Sequence, residues 1–394
     1  MYKLFIIIDL SNNNSFGYHK NTLLDFAIEL GSVNLLDVSK VLGKKSSVNN
    51  LDINAKFNIN QPKSYSELKK IFSSQDMILM YGITDAFEYF FINYYLAKYN
   101  VKKFIISNLG YNPENYNYFK KNFLEKIKIF LNIRAKYYFF RLLVLLNILP
   151  KIDYFFESSS FVFNSIEKGL SNKLKRYIPK LDLSYYKKII KINSKHFDNI
   201  FYARYKVSEN YIVFIDGMLF DHKDRIMREG IPSEQLRVKY YNNLYKILKN
   251  FEKMFNKEII VCLHPKYNIS QSRGDFKDLK CIKFETEKYI SEAYLVVFHE
   301  GSSIVQAVVQ KKKIINLYGE ILGDYINKRC NMYANLLKLN RIDLNNIIFE
   351  DRENLLNKLN KSINEYEKYI SDNIVNDPNK SGISQIIEFL NLKS

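Results

Sequence analysis

Cysteine is scarce in this 394-residue chain, with only Cys262, Cys281 and Cys330. The number is odd and no pair has CxxC spacing, which excludes a disulfide framework or a zinc knuckle. A reducing, cytoplasmic setting is the simple expectation. Long apolar runs are also missing. The longest, between Tyr137 and Pro150, is interrupted by Arg141 and falls short of the roughly 20 residues a spanning helix needs. Met1–Leu10 is apolar but has Asp9 at its end and no small-residue cleavage site, so it reads as a first buried strand rather than a signal peptide. GxxxxGK[ST], GxGxxG after a strand and HExxH are all absent. So is the Asp-x-Asp pair that holds a divalent ion on a nucleotide diphosphate. No essential metal and no other cofactor is expected. No repeat of short period is present.

What is present is an ordinary globular balance, 47% apolar and 25% charged, which excludes a chain disordered throughout. The length suggests roughly two to three domains. Lys plus Arg is 59 against 41 Asp plus Glu, a net charge of +18. Such a balance suits anionic partners. The lysines are spread along the chain rather than blocked, and no RRM, KH or zinc signature accompanies them, so nucleic acid is not the expected partner.

Apolar strands alternate with helices. Lys3–Ile8, Met77–Tyr81 and Lys103–Ser107 are predicted strands, with helices over Thr22–Leu30 and Ala86–Tyr99. Lys40–Lys63 reads as loop. Residues 113–149 read as helical, with Lys120, Lys121, Lys126, Lys128, Arg134, Lys136 and Arg141 among apolar residues. That segment could pack on its own domain or lie on an anionic membrane. Lys151–Asn210 reads as an interdomain connection. The second half has predicted strands Tyr211–Ile215, Ile259–Leu263, Cys281–Phe284, Tyr294–Phe298 and Lys313–Leu317. A helix opens at Pro232-Ser233, and further helices lie near Ser303–Gln310, Glu353–Ile370 and Gly382–Leu390. Continuous apolar strands between helices predict parallel sheets covered on both faces, here two Rossmann-type α/β domains. The first spans 1–205 with a helical insertion around 113–149. The second spans 206–394, its last helix returning to the first.

In such sheets ligands sit outside the carboxyl ends of the strands. Tyr211–Ile215 runs into Asp216-Gly217, and Ile259–Leu263 into His264-Pro265-Lys266. Cys281–Phe284 runs into Glu285-Thr286-Glu287, and Tyr294–Phe298 into His299-Glu300-Gly301-Ser302-Ser303. If these strands are neighbours, an acid, two imidazoles and two hydroxyls converge on one crevice. Gly301 permits a close turn, and Ser302 and Ser303 at a helix start can hold a phosphate without a Walker lysine. His264 can donate to a phosphate oxygen. Asp216 can take a proton from an acceptor hydroxyl or cap its loop. Asp221, His222 and Asp224 offer a second acidic centre, and Asp85 after Met77–Tyr81 is a rival base.

The order acid-Gly, His-Pro, Ser-Ser resembles that of bacterial sialyltransferases of the GT-B fold and the related Kdo transferases. Ile215-Asp216-Gly217 supplies one acid of their acid-acid-Gly motif. The resemblance implies two Rossmann-type domains facing across a cleft, and an inverting, metal-independent transferase using a CMP-activated 2-keto acid sugar. His264 would hold the CMP phosphate and assist its departure, and Ser302 and Ser303 would hold the same phosphate. Lys266 and Gly301 would belong to the same nucleotide site, with Pro265, Glu287 or Glu300 near cytosine and ribose. The base would be Asp216 or, as in some of these families, an N-terminal acid such as Asp85. The acceptor would be a glycan or lipid-linked glycan of a bacterial surface polysaccharide, reached by a cytoplasmic enzyme touching the inner membrane face. The alternative donors are a UDP- or GDP-sugar or CDP-glycerol. A nucleic-acid-binding protein and a catalytically silent scaffold are the non-enzymatic alternatives.

Overall fold

A computed structural model describes residues 3–10, 13–46, 56–73, 77–81, 89–107, 139, 142–144, 146, 148–149, 151–158, 186–221, 225–226, 229–265, 267 and 275–392. The described residues up to Lys195, together with those from Asn376 onward, form unit 1, and His196–Val375 forms unit 2. The division falls ten residues before the position expected from the sequence.

Unit 1 is built on seven parallel strands in the order β3-β2-β1-β4-β5-β6-β7. They are β1 (Lys3–Ile8), β2 (Val33–Asp37), β3 (Phe57–Asn60), β4 (Met77–Tyr81), β5 (Lys102–Ser107), β6 (Ile152–Glu157) and β7 (Tyr186–Lys191). Side chains alternate across the sheet. Leu4, Ile6 and Ile8 pack with Leu23 and Phe26 of α1 (Asn13–Leu30) on one face. Ile7 packs on the other, with Leu68 of α2 (Tyr65–Phe72) and Ile92 of α3 (Phe90–Lys98). β3 lies in what the sequence suggested was loop. β6 and β7 lie in what read as an interdomain connection, and instead complete this sheet. Most of 113–149 is outside the described residues, although Leu143, Val144 and Leu149 are buried beside Ile92.

The chain end belongs to this unit. Ile383 and Ile386 of the last helix join the α1 face. Buried Asn193 donates to the Asp377 carbonyl at 2.6 Å and accepts from the Asp377 N–H at 2.9 Å.

Unit 2 has six parallel strands in the order β10-β9-β8-β11-β12-β13. They are β8 (Tyr211–Ile215), β9 (Glu258–Cys262), β10 (Lys280–Ile282), β11 (Ala293–Phe298), β12 (Lys313–Tyr318) and β13 (Asn340–Asp343). Numbered within the unit this is 3-2-1-4-5-6, the Rossmann order, whose direction of winding reverses between β8 and β11. Before it comes α4 (Lys195–Phe201). Then α5 (Glu234–Phe255) begins where Ser233 accepts the Leu236 N–H at 3.2 Å and ends at left-handed Asn256. A cap of this kind contributes about 1 kcal/mol. Its stripe Tyr240, Leu244, Ile247, Phe251 and Phe255 is buried against β8 and β9. The remaining helices are α6 (Thr286–Ser291), α7 (Ile304–Val309), α8 (Gly323–Leu337), α9 (Arg352–Asn364), α10 (Tyr366–Asn373) and α11 (Gly382–Leu390). The single helix expected over 353–370 is thus two, with Glu365 between them. Two parallel-sheet α/β units in one chain is the fold class expected for a GT-B-like protein. Among the described residues no helix is long and apolar enough to cross a membrane.

Candidate functional site

The strand order reverses between β8 and β11, the point at whose carboxyl ends such sheets form a crevice. Two loops meet there. A Cβ on Gly217, after β8, would lie 3.8 Å from the Glu300 carbonyl oxygen, after β11. The two loops thus come within van der Waals distance at Gly217. Gly301, with φ of +143°, turns the chain from β11 toward α7 in a conformation side chains disfavour. Ser302 is exposed and Ser303 half-buried. Their carbonyls accept the Val305 and Gln306 N–H groups at 3.1 and 3.2 Å. The Ser303 hydroxyl makes no capping bond. Helix α7 has only six residues, so its dipole is small and an anion here would be held by hydroxyls and nearby N–H groups.

His264 belongs to the same edge, because β9 lies beside β8. It is half-buried and Pro265 is exposed. The Tyr267 N–H donates to the His264 carbonyl at 2.8 Å, closing a tight turn. Tyr267 is buried, and its hydroxyl donates to Asp275. Arg237 of α5 grips Asp275 through two nitrogens, at 3.2 and 2.6 Å, and reaches Asp221 at 3.2 Å. Asp221, expected as part of a second acidic centre, is thereby committed to an ion pair. Lys266, His222, Asp224 and Asp85 lie outside the described residues.

Asp216 directly follows β8. It is buried, and Oδ1 accepts the Met218 N–H at 3.0 Å while Oδ2 makes no ordinary hydrogen bond. Burial raises its pKa to about 7, with the Met218 and His264 N–H groups offsetting part of that and Asp275 and Asp221 adding to it. The bond from Met218 shapes the loop that follows. His299, the second imidazole expected in the crevice, is wholly buried instead. Its ring packs 5.3 Å from Phe214, and Nε2 lies 3.1 Å from the Tyr240 hydroxyl. Burial lowers its pKa to about 3, so it is a neutral core residue.

The two glutamates are engaged elsewhere. Glu287 on α6 accepts from Asn199 of α4 at 3.1 Å and from Tyr205 at 3.4 Å. Glu300 pairs with Arg329 of α8 at 2.6 Å, tying the loop after β11 to that helix. The structure thus brings Gly217, Glu300, Gly301, Ser302 and Ser303 to one edge with His264 on the neighbouring strand, and buries Asp216 and His299. Among the described residues no group of three His, Cys, Asp or Glu is placed to hold a metal ion.

Two constellations escaped the sequence reading. After β12, Gly319 and Gly323 bracket a short turn, Glu320–Leu322, leading into α8. Glu229, from the loop after β8, accepts the Tyr325 N–H and lies against Gly323, where an added Cβ would fall 2.1 Å from its Oε2. Buried Arg225 reaches Glu229 at 3.4 Å and donates to the Leu219 carbonyl at 3.0 Å. The Gly319-x-x-x-Gly323 spacing after an apolar strand was the available signal.

The other constellation is in unit 1. Asp9, at the end of β1, accepts from Lys44 and from the Tyr89 hydroxyl, each at 2.8 Å. Asp37, at the end of β2, accepts from the Leu10 and Ser39 N–H groups, the Ser39 and Ser46 hydroxyls and Gln61. Its signal was an aspartate closing an apolar run, as at Asp9.

No family model matches the sequence, and no curated protein matches it. Solved structures of similar backbone course exist. One is the S. aureus MnaA–UDP co-structure, at 11% identity and a TM-score of 0.45, covering 100% of this chain and 98% of that one. A UDP-N-acetylglucosamine 2-epimerase has 11% identity and a TM-score of 0.48, with 100% and 97% covered. CalG4, the calicheamicin glycosyltransferase, has 6% identity and a TM-score of 0.46, with 99% and 98% covered. At these identities and with TM-scores below 0.5, no functional inference rests on them.

Proposed function

We propose that this chain is a glycosyltransferase that takes its sugar from a nucleotide donor and holds the donor's phosphate at the carboxyl edge of the unit 2 sheet. The observation that carries this reading is the meeting of the Gly217 and Glu300–Ser303 loops where the Rossmann order reverses, the place where such sheets bind nucleotides. The Ser303 hydroxyl, unused as a cap, and the half-buried His264 on the adjacent strand supply donors to phosphoryl oxygens. Donors aimed at the leaving phosphate stabilise the charge that develops on it.

The reaction balances as a single displacement. An acceptor hydroxyl oxygen attacks the anomeric carbon, the carbon–oxygen bond to phosphate breaks, and the nucleotide leaves with the electron pair. The hydroxyl proton goes to a base. Asp216, its pKa raised to about 7 and its Oδ2 without an ordinary hydrogen bond, is the candidate base on this edge, and Asp85 is the rival.

A UDP- or GDP-linked sugar is the donor class favoured here, since two donor sets on separate strands suit two phosphoryl groups. A CMP-linked 2-keto acid sugar is the second reading, resting on the order Asp216-Gly217, His264-Pro265, Ser302-Ser303. A peripheral membrane contact is part of either reading. It rests on Phe139, Leu142 and Leu146, exposed at helical spacing, within a lysine- and arginine-rich segment.

The test is nucleotide release from UDP-, GDP-, CDP- and CMP-linked donors by the full chain with a mixed glycan acceptor. Release from one class that falls at least about tenfold in His264→Ala supports the reading. Release from none, or full activity in His264→Ala, overturns it.

A further inference from the structure

Phe284 combines two features that local physics disfavours. It is 77% exposed. Its φ is +67°, in the left-handed region where the Cβ of a side chain crowds the following carbonyl oxygen. Among the described residues nine non-glycine residues have positive φ, and Phe284 is the only aromatic one. Asn256, Lys338 and Asn391 share that conformation but close the helices α5, α8 and α11, a place where it is common. Phe284 closes no helix. It lies between β10 and α6, where glycine would be the unstrained choice. Backbone strain of this kind clusters at active sites and ligand clamps.

Its position gives the strain a use. β10 lies beside β9, with Ile282 level with Cys262. The ladder continues one step, the Leu263 N–H donating to the Ile282 carbonyl at 2.9 Å. Phe284 is two residues past Ile282, as His264 is two past Cys262, so the two follow adjacent strands at the same sheet edge. The Lys283 ammonium joins them. It donates to the carbonyl of Tyr267, in the turn that begins at His264, at 2.9 Å. It also lies over the Phe284 ring, 5.1 Å from its centre. One face of the ring is thus backed by a cation fixed to the His264 turn, and most of the ring stands in solvent.

We propose that Phe284 is the platform on which the nucleobase stacks when His264 holds the phosphate of the nucleotide. Every base has a π-face, so an exposed aromatic ring adds affinity for a base of any kind. One ribose separates base from phosphate, which matches two groups on neighbouring strands. Covering the ring also removes apolar surface from water. The platform deepens the nucleotide-donor reading and rests on it, since a base is placed here only if the phosphate is placed at His264.

The chain contains no tryptophan, so Phe284→Trp puts a single fluorescent reporter at the platform. The full-length Phe284→Trp protein is titrated with UDP, GDP, CDP and CMP while indole emission is followed. Calorimetry measures the same nucleotides with wild type, Phe284→Trp and Phe284→Asn. The nucleotide that binds wild type should quench the indole with the dissociation constant found by calorimetry, and Phe284→Trp should keep its affinity. Phe284→Asn should bind it about fivefold or more weakly. The melting temperature of ligand-free Phe284→Asn should hold or rise, because asparagine tolerates left-handed backbone; a merely structural phenylalanine would lower it. The proposal is overturned if wild type and Phe284→Asn bind equally, if bound nucleotide leaves the indole emission unchanged, or if weaker binding comes with a lower melting temperature. Those outcomes leave the nucleotide reading standing. Absence of binding by any nucleotide to wild type overturns both.

Discussion

Glu229 and Tyr325 lie 96 positions apart, and the Glu229 carboxylate accepts the Tyr325 backbone N–H. The contact joins the loop after β8 to the first turn of α8, spanning the strand whose loop carries Ser302 and Ser303. A negative charge on a helix's first turn is favourable, typically by about 0.3–1 kcal/mol. Arg225 holds the same carboxylate from behind.

That clasp needs glycine at 323, where φ is +80° and an added Cβ would strike Glu229. Gly323→Ala should lower stability by about 2 kcal/mol in chemical denaturation. In a Glu229→Ala background the same substitution should cost only the backbone part, about 1 kcal/mol. Equal costs in the two backgrounds would show that the two residues do not press on each other.

Asp216 and His299 give opposed pH dependences. The Asp216 pKa is raised by burial to about 7, so the folded chain holds a proton that the unfolded chain has released, and stability falls as pH rises from about 4 to 7. The His299 pKa is lowered by burial to about 3, so stability rises with pH between about 3 and 6.5. The two slopes cancel over most of their shared window. Asp216→Asn keeps the Oδ1 acceptor for Met218 and removes one slope. Its melting temperature should rise from pH 4.5 to 6.5 more steeply than that of wild type. Parallel profiles would contradict the buried, proton-holding Asp216.

Asp37 gathers five hydrogen bonds from loops after β1, β2 and β3. Asp37→Ala would leave several of these donors buried without acceptors, each worth about 1–3 kcal/mol. A loss of about 4 kcal/mol or more is expected in denaturant unfolding. A loss below about 1 kcal/mol would mean that water replaces the carboxylate.

The Ser303 hydroxyl makes no cap bond. Ser303→Ala should therefore change stability by less than about 0.5 kcal/mol, against the approximately 1 kcal/mol of a working cap. The measurement is a melting curve without ligand. A full capping penalty would assign the hydroxyl a structural role.

The units and their edges were legible because β1, β4, β8 and α11 are continuous apolar or periodic runs with clear ends. β3 and β7 were missed because they are sheet edges, where alternate residues such as Lys187 face solvent. β6 was hidden by acids within an interior strand. Asp153 there accepts from the Lys103 N–H and from Lys187, a use that no local pattern announces. At the site, strand order brought the right loops together, but the direction of each side chain was not readable. His299 stands one residue beyond β11, where alternation sends its ring inward against Phe214. Asp216 accepts the Met218 N–H. The Glu229 clasp was invisible because its partners are 96 positions apart.

The central claim is that the β8–β11 crevice binds a nucleotide through His264 and the Ser302-Ser303 turn. The most direct measurement is calorimetric titration of UDP, GDP, CDP and CMP into the full chain, wild type and His264→Ala, alongside a Ser302→Ala/Ser303→Ala double variant. At least one nucleotide should bind to wild type, and both variants should weaken it by about tenfold or more with unchanged ligand-free melting temperatures. Binding that is equal in all three proteins, or the absence of binding by any nucleotide, would contradict the account.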